Sequence, residues 1–109
     1  MPVLGTDPAG REVVCDQEHW ERHILARHPE MAGLEEELRH AISTPKWVIA
    51  SGRRSAGRWE PCLVLFRPVG DQVLKVVIRP FKPAAAFVVT AYLVPADRHR
   101  DSHTLGVEG

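Results

Sequence analysis

From Leu74 to Arg79 the residues alternate, with Leu74, Val76 and Ile78 on one side of an extended chain and Lys75, Val77 and Arg79 on the other. The same period of two returns in Phe87–Leu93, where Phe87, Val89, Ala91 and Leu93 are all apolar and Val88, Thr90 and Tyr92 are mixed. These patterns, with similar runs upstream, predict strands at about 46–50, 59–67, 73–79 and 86–94, joined by turns at 51–57 and 68–71. The wholly apolar set belongs against a layer of helices. That leaves Lys75, Arg79, Thr90 and Tyr92 on an open side where an extended ligand can lie.

The first half of the chain has a longer period. Val3-Leu4 and Glu12-Val13-Val14-Cys15 flank the turn Asp7-Pro8-Ala9-Gly10 and predict a short leading hairpin. Asp16 is a good N-cap for a helix over about 17–28, with Trp20, Ile24 and Leu25 as its apolar stripe and His19, His23 and Arg27 as its polar one. Pro29 cannot continue that helix. A second helix is predicted over about 33–43, burying Leu34, Leu38, Ala41 and Ile42 and ending at Thr44-Pro45. Glu35, Glu36 and Glu37 in its first turn suit the positive end of the helix dipole. The expected architecture is α+β: two N-terminal helices packed on one face of a four-stranded antiparallel meander, with a short leading hairpin. Residues 1–94 read as a single domain and 95–109 as a polar C-terminal tail.

Composition adds a few bounds. A hydrophobic fraction of 44% is that of an ordinary globular chain. No apolar run approaches the roughly 18 residues of a membrane span. Two distant cysteines form neither a disulfide framework nor a zinc spacing, so a cytoplasmic location is the expectation. The net charge of zero conceals a division: residues 1–45 carry four Lys/Arg against nine Asp/Glu, and residues 46–109 carry ten against five. Arg53, Arg54 and Arg58 are the densest cationic group, suited to a polyanion or simply set beside the acidic helices.

The candidate chemistry centres on Trp20–Met31, where His23 and His28 lie on a helix that breaks at Pro29. Imidazole ordinarily titrates at about 6.5, which suits acid/base work at neutral pH. Five residues of α-helix turn through about 500°, or about 140° net, so both rings reach one cleft only if the helix ends before His28. Glu30 is a base or a capping partner. Thr90 is a hydroxyl donor or an ordinary strand residue, and Tyr92 a stacking platform or a half-buried strand tyrosine. Trp20, Trp47 and Trp59 read as core or core-edge packing, and Cys15 and Cys62 as small hydrophobes. His19 and His23 have a spacing metals use, but Trp20 stands where the zinc-protease signature has glutamate, and no metal is assigned.

The order of these parts, with His23-Ile24-Leu25-Ala26-Arg27-His28-Pro29-Glu30-Met31 and the closing Val89-Thr90-Ala91-Tyr92, resembles the phage-associated branch of the barnase, EndoU, colicin and RelE-like nuclease superfamily. The resemblance covers residues 11–94. It implies a compact RNase whose helix histidine is His23 or His28, whose last-strand hydroxyl is Thr90, and whose basic group is Arg53, Arg54, Arg58 or Lys75. Metal-independent RNA cleavage needs a base for the 2′-hydroxyl, an acid for the leaving 5′-oxygen and donors for the phosphorane. His23 and His28 suit the first two roles, Arg54 or Arg58 with Thr90 the third, and Tyr92 can stack on a base. The expectation is a metal-independent endoribonuclease-like domain, without cofactor, acting as a toxin or phage-related effector. Its partners would be RNA and a cognate antitoxin or immunity protein, with no membrane. The alternative is a non-catalytic RNA-binding or protein-interaction module on the same fold.

Overall fold

The computed structural model describes residues 3–96. Strands β1 (Val3–Thr6) and β2 (Glu12–Val14) form the leading hairpin. Its turn is tied by Asp7, which is only 4% exposed. The Asp7 carboxylate accepts from the Ala9 and Arg11 backbone amides and from Arg11 Nε, at 2.8–3.0 Å.

Asp16 caps helix α1 (Gln17–His19), its side chain accepting from the Glu18 amide. The helix runs on as a π-helical stretch over Trp20–Leu25 and stops at Ala26, short of the predicted His28. His28, at φ −133° and ψ 72°, is not helical, and a 3₁₀ turn at Pro29–Met31 follows, with proline in its first position. Helix α2 (Glu35–Ser43) begins two residues later than expected, because Gly33 sits at φ +83°, outside any right-handed helix.

The remaining strands are longer than predicted: β3 (Trp47–Ser55), β4 (Arg58–Val69), β5 (Gln72–Lys82) and β6 (Ala85–Pro95). The Ser51–Gly57 segment, expected as a turn, is strand as far as Ser55. Only Ala56 and Gly57 turn, both at positive φ (51° and 76°), which matches the right-handed twist of a tight hairpin. The meander β3–β6 is present, but the sheet has six strands in the order β1-β2-β6-β5-β4-β3. The leading hairpin joins because β2 pairs in parallel with Ala85–Phe87 of β6. Over the described residues the fold is therefore mixed α+β, with a six-stranded sheet and two short helices.

One core lies between the helices and the sheet, joining Ile24, Met31, Leu38, Ala41 and Ile42 to Leu65, Leu74, Val76, Ile78 and Ala91. A second, built of strand residues, holds Cys62, Val64, Phe66, Val73 and Val77 on the other face. A β-bulge alters the predicted facing of β6: Thr90 pairs with Val77 and Val88 with Ile78, so Val89 is the extra residue. Upstream of it the alternation shifts by one. Ala91 and Leu93 face the helices as expected, but Ala86 and Val88 replace Phe87 and Val89 there.

The β4–β5 ladder ends at Leu63↔Ile78, whereas β3–β4 runs on to Ser55↔Arg58 and β5–β6 to Lys82↔Ala85. Continued two steps, the register would set Pro61 against Pro80. Neither has an N–H to donate, so the sheet divides there into two ribbons.

Candidate functional site

Phe66, Lys75 and Tyr92 are consecutive neighbours across β4, β5 and β6. Lys75 is only 2% exposed, with Nζ 5.4 Å from the Tyr92 ring centroid and 6.0 Å from that of Phe66. Lys75, Thr90 and Tyr92 lie together away from the helix-side core, as expected, but that face is not the open one predicted, because Phe66, Val73 and Val77 are buried on it in the second core. Lys75 nonetheless sits beneath that surface rather than on it, with its ammonium against the Tyr92 ring.

His28 reaches this cluster because the helix ends before it. Its ring stacks on Tyr92 at 4.8 Å between centroids and 23° between planes. Nδ1 lies 3.8 Å from the Glu30 carboxylate, an electrostatic neighbour beyond hydrogen-bond length. Thr90 stands two residues back on β6, partly exposed, opposite Val77. Four residues singled out in the sequence, His28, Lys75, Thr90 and Tyr92, are thus brought to one part of the sheet.

His23 has a different neighbour. It is exposed, and its ring lies 5.0 Å from that of His19. His19 is occupied structurally: its Nε2 is 2.9 Å from the carbonyl of Val89, the bulge residue. A carbonyl only accepts, so His19 carries its proton on Nε2. Among the described residues no group of three His, Cys, Asp or Glu could hold a metal ion.

Arg54 and Arg58 are exposed near the tip of the β3–β4 hairpin. The Arg53 side chain lies outside the described residues, as do residues 97–109 of the expected tail. The sequence reading missed one member of the hairpin end: Trp59, expected as core or core-edge packing, is 55% exposed. Arg79, expected on the ligand-facing side, donates to Glu60 Oε2 at 2.6 Å. Arg79 stands four residues from Lys75 on β5, about 13 Å along a strand, so this cationic region is separate from His28. Gly52 was the available signal for Trp59, because a residue without Cβ leaves room for a cross-strand aromatic.

Burial, reinforced by Asp16, pushes the Cys15 thiol up to about 11, which keeps it protonated at neutral pH. Among the described residues no helix is long and apolar enough to cross a membrane. No protein-family model, curated protein or solved structure matches this chain.

Proposed function

We propose that this chain is a metal-independent endoribonuclease-like domain with His28 as its principal acid/base group. The observation that carries the proposal is the stacking of His28 on Tyr92, with Glu30 near Nδ1 and Lys75 beneath. Such a ring is held in place by its aromatic neighbour, as a group that must meet a substrate hydroxyl requires. In the proposed reaction His28 takes the 2′-hydroxyl proton, the 2′-oxygen forms a bond to phosphorus, and the bond from phosphorus to the 5′-oxygen breaks. Solvent water protonates the departing 5′-oxygen, leaving a 2′,3′-cyclic phosphate and a 5′-hydroxyl; His23, expected as the acid, has its ring beside His19 instead. The Thr90 hydroxyl, on the same strand as Tyr92, serves the phosphorane, whereas Arg54 and Arg58, expected in that role, stand on the β3–β4 hairpin apart from His28.

The resemblance to the phage-associated nuclease branch supports the same reading. A toxin or phage-related effector acting in a reducing cytoplasm, restrained by a cognate antitoxin or immunity protein, fits it. The test is incubation of labelled RNA in EDTA with the wild type, His23→Ala and His28→Ala, followed by analysis of fragments and their 3′ ends. The expected result is discrete fragments with cyclic phosphate ends, lowered about 10²- to 10⁴-fold by His28→Ala. Full activity in both variants overturns the mechanism. Intact RNA from folded wild type overturns cleavage and leaves a non-catalytic RNA-binding or protein-interaction module, a reading favoured by the distance between the exposed arginines and His28.

A further inference from the structure

Where the sheet divides at Pro61 and Pro80, a notch of about 450 Å³ opens between the ribbons. Arg58, Trp59, Glu60 and Pro61 line it from β4, and Arg79 and Pro80 from β5. Trp59 is more than half exposed, yet it has a fixed seat. A Cβ placed on Gly52 would lie 2.2–2.5 Å from the indole atoms Cζ2, Cε2 and Nε1, so the ring rests against the β3 backbone itself. The rest of the ring is left to solvent beside the notch.

Charge completes the arrangement. Among the described residues Glu60 is the only carboxylate lining the notch, and it is bound to Arg79 Nη1 at 2.6 Å. That pairing spans the two ribbons and orients the guanidinium, which lies over Phe87 at 5.6 Å and keeps further N–H donors. Arg58 brings a second guanidinium. Two cations against one paired carboxylate, beside an exposed aromatic ring, is the combination that takes a single nucleic-acid strand: a base stacks on the ring while the backbone meets the cations.

We propose that this notch is a binding subsite for an unpaired nucleotide, with Trp59 as its stacking platform and Arg58 and Arg79 as its phosphate contacts. It rests on the RNA reading for the identity of the polymer, but lies apart from His28 and binds independently of it. Trp59 acts here by touching the ligand, beyond its packing role on Gly52.

The test is fluorescence anisotropy of the full chain with a labelled 2′-O-methyl oligonucleotide, which lacks the 2′-hydroxyl nucleophile and remains intact. Wild type is expected to bind the single strand more tightly than its duplex. Trp59→Ala is expected to weaken binding about 5- to 150-fold. Arg58→Gln is expected to lower the slope of log affinity against log salt by about 0.7. Circular dichroism checks that each variant is folded. Equal binding by Trp59→Ala, equal binding of duplex, or no binding by wild type overturns the subsite. Cleavage of ordinary RNA without binding of the probe rejects the notch alone, whereas binding without cleavage supports the notch and rejects the nuclease reading.

Discussion

At the scale of residues, Cys15 shows how burial decides chemistry. It is 5% exposed and follows Val14 at the end of β2, where the thiol replaces a small hydrophobe in the helix-side core. Ionising it places a thiolate in apolar surroundings beside the Asp16 carboxylate. Its raised value, about 11 against an ordinary 9.0, favours the protonated thiol in the folded state. The unfolded chain loses that proton first. The contribution to stability is therefore complete below pH 9 and is lost as pH rises through 11, at up to about 1.4 kcal/mol per pH unit. Urea unfolding between pH 8 and 11 should show a steeper loss in wild type than in Cys15→Ala, and parallel curves would refute this assignment. His28 gives the complementary lesson. Its residue type and position beside Pro29 made it a candidate from sequence, but its stacking partner follows only from where the helix ends.

At the scale of elements, the bulge in β6 links a local irregularity to a helix. β2 leaves β6 after Phe87, and the chain turns at Cys15-Asp16 into α1, which brings His19 to the carbonyl of Val89. A strand residue with no cross-strand partner thus finds a side chain instead. His19→Ala is expected to cost about 1–3 kcal/mol, read by chemical denaturation. A change below about 0.5 kcal/mol would mean that water replaces the imidazole without loss.

The same elements mark what sequence could convey. Asp16 as N-cap, Pro29 as breaker and the alternation in Leu74–Arg79 rest on local physics, and each is found in place. The bulge was hidden because one inserted residue leaves both halves of Phe87–Leu93 looking apolar. The Ala56-Gly57 turn was hidden among small polar neighbours that also suit a longer loop. The parallel pairing of β2 with β6 had no local sign at all, since nothing in Glu12–Val14 names a partner at the far end of the chain. For the same reason the joining of His28, Lys75 and Tyr92 was only partly legible: strand parity put Lys75 and Tyr92 on one face, but not the histidine beside them.

At the scale of the whole molecule, the sheet is packed on both faces. Phe66 is 1% exposed in the strand-built core, as deeply buried as Leu74 on the helix side at 0%. Phe66→Ala is accordingly expected to cost about 3–5 kcal/mol, and Leu74→Ala about 2–5. Denaturation midpoints for the two variants test this, and a near-neutral Phe66→Ala would show that the second face is only loosely packed. The burial of Phe66 also supports Lys75 and Tyr92, so the same variant is expected to disturb the His28 stack.

The parallel join between β2 and β6 has a consequence in time. A ribosome releases the chain from its N-terminus, so β2 emerges long before the strand it must lie beside, and helices α1 and α2 precede the sheet they cover. The contact that ties the leading hairpin into the sheet is also among the longest-range in the chain, and it forms against the loop entropy of nearly everything between. Tyr92 belongs to that same last strand. During synthesis His28 is present early but has nothing to stack upon, and the site is assembled only when β6 is released and docks.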